Sequence, residues 1–400
     1  MPVSAPMPPE SAREVFFVFL RLGLTSFGGP IAHIGYFRNE FVGRRRWLDD
    51  AAFSDLVALC QFLPGPASSQ VGMALGLGRA GWPGMLAAWM GFTLPSAIAM
   101  IVFAYGVAQF QDIARSGWVH GFKVVAVAIV AQAIWGMARV LCPDRARAAV
   151  AVLAALVVTV LPSSMGQVLA IAIAGLIGHR FLDIRLPVGT HAHRYRVTRR
   201  TGAVALVLFA LPFVALPLWG AATGSPMFSL LSGVYRAGGL VFGGGHVVLP
   251  LLQAAVVPGG AVSNADFIAG YGAAQAVPGP LFTFAAYLGA VAHGPLHGWT
   301  GGVVFLATIF LPAALVLVGA LPYWESLQES RQARSAMAGV NAGVVGILAS
   351  AFYDPVWIGA IHGKSDLALA ILAFGLLTLG RVPPVLVVGF AGLFGWLAAT

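Results

Sequence analysis

Apolar runs long enough to cross a bilayer recur from one end of this chain to the other, with very little polar sequence between them. Charged residues fill only 9% of the 400 positions and hydrophobic ones 59%. A soluble domain carries about a quarter charged residues. Too little polar surface is left to coat a water-soluble fold of this size. Strands of a membrane barrel would alternate polar and apolar residues, and these runs do not. The sequence therefore predicts an all-α polytopic membrane protein. Its 50 glycines and 25 prolines fall inside the apolar runs, where membrane helices tolerate them.

The net charge of +9 is spread over short loops between apolar runs, the usual topology signal, so no nucleic-acid partner is expected. Cys60 and Cys142 form no metal or redox motif, and His191 and His193 have no partner ligands. No metal, cofactor or catalytic residue is expected. Residues 1–12 lack the basic region and cleavage site of a signal peptide and read as a disordered lead-in.

The chain is a tandem copy. A shift of 215 residues brings Arg21 onto Arg236 and Gly28 onto Gly243. A shift of 214 brings Gln61-Phe62-Leu63-Pro64-Gly65-Pro66 onto Gln275-Ala276-Val277-Pro278-Gly279-Pro280. A shift of 217 brings Gly81-Trp82 onto Gly298-Trp299 and Leu94-Pro95 onto Leu311-Pro312. Order kept over some 75 residues with so little drift marks a duplication. We divide the chain into an N-terminal repeat (13–182), a basic loop with one connecting helix (183–225), and a C-terminal repeat (226–400).

Each repeat begins with interrupted apolar segments. Segment 13–42 is broken at Phe27-Gly28-Gly29-Pro30 and segment 50–78 at Pro64-Gly65-Pro66. Segment 227–256 is broken at Gly243-Gly244-Gly245 and segment 265–292 at Pro278-Gly279-Pro280. Proline removes a donor and paired glycines free the backbone, so each segment reads as a helical hairpin that enters the membrane and returns. With hairpins, Arg44, Arg45, Arg46, Arg79 and most other arginines fall on one side, as the positive-inside rule asks. If the segments spanned fully, Arg44 to Arg46 would move to the other side. The unpartnered helix near 201–220 makes the two copies enter from opposite sides, which gives an inverted repeat.

Interrupted helices leave backbone N–H groups free at mid-membrane depth, and each helix start carries partial positive charge. Four such breaks converging would attract an anion. Arg21 and Arg236 occupy matched positions within apolar helices, and guanidinium fits a tetrahedral oxyanion. The expected substrate-binding set is Arg21, Arg236, Gly28, Gly29, Ser68, Ser69, Gly243, Gly244 and His246. The helix breaks are Pro30, Pro64, Gly65, Pro66, Gly245, Pro278, Gly279 and Pro280. Ser26, His33, Gln70, Gln253 and Thr283 lie near these breaks and are weaker candidates. Gln61 and Gln275 are expected to bond freed backbone at the Pro-Gly-Pro breaks. Asp55 reads as a solvated or paired acid at a hairpin mouth, Lys123 as a snorkelling cation. Asp49, Asp50, Ser263 and Asn264 read as helix N-caps.

The stretch Arg21 to Pro30, with Ala32-His33-Ile34-Gly35-Tyr36-Phe37-Arg38 and Arg44-Arg45-Arg46-Trp47-Leu48, resembles the chromate transporter family. So does Leu59-Cys60-Gln61-Phe62-Leu63-Pro64-Gly65-Pro66-Ala67-Ser68-Ser69-Gln70. The second copy, Phe242 to His246 and Gln275 to Pro280, is similar to the family's long-chain, two-domain form. Gly43 stands where the family often has an acid. The resemblance implies a secondary transporter that exports chromate across the bacterial inner membrane and confers chromate resistance, as a monomer or a homodimer. No Gly-x-x-x-x-Gly-Lys loop for ATP is present. The alternative reading is a transporter or channel for sulfate or another anion. An intramembrane enzyme would need a nucleophile or acid–base pair in the bilayer, and the buried polar groups are mostly hydroxyls, amides and arginine.

Overall fold

A computed structural model describes residues 11–27, 29–109, 117–161, 164–182, 197–241, 248–324, 330–380, 382 and 384–399. Every regular element among them is a helix. The first repeat holds α1 (Ala12–Thr25), α2 (Gly29–Arg38), α3 (Asp50–Phe62), α4 (Ala67–Gln109), α5 (Gly117–Leu141), α6 (Arg145–Val160) and α7 (Ser164–Phe181). The connecting helix α8 (Arg199–Thr223) follows. The second repeat holds α9 (Pro226–Gly239), α10 (Val248–Val256), α11 (Asn264–Ala276), α12 (Phe284–Val291), α13 (Gly298–Ala320), α14 (Arg331–Ala351), α15 (Lys364–Thr378) and α16 (Pro384–Ala399). Among the described residues, three stretches are long and apolar enough to cross a membrane: 67–106, 199–223 and 298–323.

Local chemistry sets the boundaries. Asp49 caps α3 by accepting from the Ala52 N–H, and Ser263 caps α11 by accepting from the Asp266 N–H, while Asp50 and Asn264, also expected as caps, are the first residues inside those helices. Beyond α2 the backbone loosens into a π-helical turn, Asn39–Arg44. Helix α4 is two arms: Ala80 and Gly81 leave helical dihedrals, with Gly81 at φ +64°. The arms fold back until Gly76 and Gly84 meet backbone to backbone, and Gly289 meets Gly301 in the same way in the second repeat. The second repeat makes this turn with the loop 292–297 where the first uses a kink. This accounts for the drift in register from 214 to 217.

The arms of the interrupted segments pack on one another. Phe19 on α1 lies 5.1 Å from Phe41 beyond α2, centroid to centroid. Gly233 on α9 packs against Ala255 on α10, and Phe267 on α11 sits 5.0 Å from Phe284 on α12. Trp47 receives both Arg45 and Arg79, at 5.8 Å and 5.2 Å from guanidinium to ring. The loops after the first and second hairpins therefore share one side of the molecule.

The two repeats meet reciprocally. The Gly65 N–H donates to the Val241 carbonyl at 2.6 Å, and the Gly279 N–H donates to the Ser26 carbonyl at 2.9 Å. Gly65 abuts Ala313 and Gly279 abuts Ser96, again matched positions. In the other half of the molecule α5 packs on α15 and α16, while α14 packs on α6 and α7. A side chain on Gly121 would collide with the Ala391 carbonyl, and one on Gly339 with the Ala174 carbonyl. Contacts of i on j′ are here matched by contacts of i′ on j. Each repeat thus lends one helix to the other, and duplication of the sequence becomes interlocking of the fold.

Candidate functional site

Residues flanking the interruptions form two cross-repeat pairs. The break after α1 meets the Pro278-Gly279-Pro280 turn through Ser26, and the break after α9 meets the Pro64-Gly65-Pro66 turn through Val241. Glycine is required at both turns, because φ is +122° at Gly65 and +107° at Gly279. Neither glycine has room for a Cβ: it would come 2.8 Å from Ala313 Cβ in one case and 2.8 Å from Ser96 Oγ in the other. The segment 242–247 lies outside the described residues, as does Gly28. The predicted Gly28, Gly243, Gly244, Gly245 and His246 fall there. Gly29, at φ +76°, opens α2, and Pro30 follows it in the first turn.

Around these turns lies a seam of buried polar side chains in an otherwise apolar interior. Ser26, His33, Ser68, Ser69, Gln70, Thr93, Ser96 and Thr283 are all at most 3% exposed. His33 Nδ1 lies 3.3 Å from Ser68 Oγ, and its ring stands edge-on to Phe92 with centroids 5.2 Å apart. The Phe92 carbonyl and Ser96 in turn border Gly279. Five atoms of the seam have no hydrogen-bond partner among the described residues: Ser26 Oγ, His33 Nε2, Ser69 Oγ, Gln70 Oε1 and Thr93 Oγ1. Each such buried group costs about 1–3 kcal/mol if nothing else satisfies it. Ser68 and Ser69 sit in the first turn of α4, whose positive end faces the seam. Thr283 is tied down locally, donating to the Pro280 carbonyl at 2.9 Å.

Sequence reasoning gave the bracing of the breaks to Gln61 and Gln275, and the structure gives that role to neither. Gln61 is exposed at the end of α3. Gln70 does the work instead: its Nε2 donates to the Pro64 carbonyl at 2.9 Å and to the Ala313 carbonyl at 3.3 Å. One amide thereby ties the first Pro-Gly-Pro turn to the second repeat. Gln275 is half-buried beside Tyr271, with which it shares a hydrogen bond. Thr93 and Ser96 were missed altogether. They flank Leu94-Pro95, which served only as a repeat marker; hydroxyls beside a proline inside an apolar helix were the available signal. Gln253 sits apart, donating to Asn264 Oδ1 at 2.9 Å.

The two arginines differ in setting. Arg236 lies in the last turn of α9, half-buried, with Nε enclosed and without a partner among the described residues. Arg21 is exposed on α1 and lines a cleft of about 630 Å³ with Thr25, Tyr36, Asn39, Glu40 and Arg44. Glu40 binds Arg45 at 2.7 Å and Arg44 at 3.1 Å, so the mouth of the first hairpin is a small ion-pair network beside Arg21. Asp55 is half-buried on α3, and the Lys123 side chain lies outside the described residues. No group of three metal-ligating side chains occurs among the described residues.

Comparison with known proteins matches these features to one family. The chromate transporter family model covers residues 13–179 and again 228–396. The chromate transport protein of Pseudomonas aeruginosa is 28% identical, across 98% of this chain and 93% of its own. That of Cupriavidus metallidurans is 25% identical, across 98% and 94%. A probable chromate transport protein of Synechococcus elongatus is 25% identical, across 86% and 84%. No solved structure matches the chain. Two copies of the family model, meeting on apolar helices of membrane-crossing length, identify the chain as a member of the chromate transporter family.

Proposed function

We propose that this protein is a secondary transporter that exports chromate across the bacterial inner membrane and so confers chromate resistance. Chromate itself comes from the family and from the printed names of the full-length relatives. The observation that carries the mechanism is the cross-repeat pairing of the residues flanking the helix breaks beside a buried seam of unpaired hydroxyl groups. Such a seam holds a tetrahedral dianion with neutral donors and helix dipoles, which lets it bind without trapping.

In this reading the repeats 13–182 and 226–400 are inverted copies, joined through 183–225, and their two-fold axis lies in the membrane plane. The Trp47 contacts with Arg45 and Arg79 support hairpins that return to the side they entered, since full spans would separate those arginines. Ser68, Ser69, Thr93 and Gly29 serve the substrate together with the second-repeat loop Gly243, Gly244 and His246. Arg236 supplies charge from the half-buried end of α9. Arg21 works from the cleft at the hairpin mouth, drawing the anion in by its field. Alternating access would rock the interlocked repeats about the paired turns. No chemical step is needed.

The test is chromate flux in proteoliposomes at imposed voltage and pH gradients, with sulfate, of equal shape and charge, as the competitor. Ser68→Ala with Ser69→Ala should lower flux at least tenfold while the protein still inserts. Flux that survives in this variant and in Arg236→Gln would remove the site from the account. Flux of sulfate in preference to chromate would replace the substrate.

A further inference from the structure

An apolar groove of about 520 Å³ is walled by α4, α8 and α13, and its inner lining, at Met73 and Ala314, stands next to the polar seam. Trp82 and Trp89 form one wall, Leu208 another, and the groove runs from Thr201 and Val318 down to Ala307. From Val318 to Ala307 along α13, at 1.5 Å per residue, the groove is about 16 Å deep. That is about half of a 30 Å hydrocarbon core, the depth of one leaflet. Trp82, Leu208 and Leu311 are about half exposed along it, so it opens sideways to the bilayer.

The mouth is charged. Arg199 and Arg200 open α8 immediately before Thr201, and both are exposed. Tyr323 donates to the Arg199 carbonyl at 3.0 Å, which fixes the start of α8 to the end of α13 at this mouth. The Trp82 indole belongs at the interface, where its ring is apolar and its N–H is wet. Helix α8 is the element without a repeat counterpart, and only 11% of its apolar window is buried by protein. One wall of the groove therefore comes from a helix that the sequence duplication does not repeat.

We propose that the groove between α4, α8 and α13 is a single site for an anionic phospholipid, one acyl chain lying along Trp82 and Trp89 and the phosphate held by Arg199 and Arg200. The depth selects a chain from one leaflet, and the two guanidinium groups select the headgroup. Each arginine near the surface is worth about a fivefold preference for anionic lipid.

The test uses the full-length protein in phosphatidylcholine vesicles carrying a fixed fraction of acyl-brominated lipid, a short-range quencher of tryptophan. Brominated phosphatidylglycerol should quench more than the same fraction of brominated phosphatidylcholine. The excess should vanish in W82F/W89F, while the remaining tryptophans respond equally to both lipids. In R199Q/R200Q the two lipids should quench alike. On the unaltered chain, 0.5 M salt should shrink the excess, because the charges are exposed. Equal quenching by both lipids in the unaltered protein overturns the proposal. So does an excess that survives W82F/W89F, or one that is indifferent to salt.

Discussion

Replacing Gly279 by alanine tests the paired turns quantitatively. At φ +107° a side chain is strained whatever the space, at a cost of about 1–3 kcal/mol. The new Cβ would also stand 2.8 Å from Ser96 Oγ and 3.3 Å from the Phe92 carbonyl. Moving the hydroxyl aside adds about 1–3 kcal/mol of overpacking. Gly279→Ala should therefore lose about 2–6 kcal/mol, and Gly65→Ala, clashing with Ala313, a similar amount. Unfolding in mixed micelles, followed by tryptophan fluorescence, measures both. The companion variants separate the two costs. Ala313→Gly should rescue the packing part of Gly65→Ala but leave the backbone part, giving a coupling of about 1–2 kcal/mol. If either alanine variant is as stable as the parent within 0.5 kcal/mol, the turns are not wedged between the repeats and the reasoning fails.

Gln70→Ala should cost about 1–3 kcal/mol by leaving the Pro64 and Ala313 carbonyls without their donor, read in the same unfolding assay. Gln70→Glu, which replaces the donor with an acceptor, should be no better. Asp144 caps α6, and hydrogen bonds from the Arg147 backbone and side chain hold its carboxyl below its ordinary value. Its folded-state pKa is depressed, so its contribution is present above the ordinary aspartate value near 3.9 and is lost as pH falls through the folded value. Amide-exchange protection of residues 145–148, corrected for intrinsic rates, should drop in that acid window and be pH-independent there in Asp144→Asn.

Much of this architecture was legible because the chain repeats itself. Gly65 and Gly279 share a motif, and the structure gives them the same turn, the same left-handed dihedral and matched neighbours. Helix ends were legible where a cap was chemical, as at Asp49 and Ser263. What the repeat could not say is how the copies face each other. Interlocking of α5 with α15 and α16 rests on Gly121 against Ala391, and its mate on Gly339 against Ala174. Small residues are spread throughout this sequence, and nothing marks which of them touch.

The site was legible by proximity to the breaks and no further. Ser68 and Ser69 could be named because they follow Pro66 directly. Thr93 and Ser96 arrive from 25 residues downstream only because α4 folds back at Gly81. Gln70 escaped its structural role because the second repeat has Phe284 at the matched position, so symmetry pointed to Gln61. Arg21 and Arg236 are matched in sequence yet differ in exposure, because α1 borders the π-turn cleft while α9 is covered by α8, α10 and α13.

Chromium scatters anomalously, so a crystal of the chromate-soaked protein, measured above and below the chromium absorption edge, locates the substrate without interpretation of the chain. The account predicts one principal peak in the buried seam, within hydrogen-bond reach of Ser68, Ser69 or Thr93 and close to the Gly65 and Gly279 turns. A principal peak confined to the exposed Arg21 cleft, with the seam empty, would contradict it.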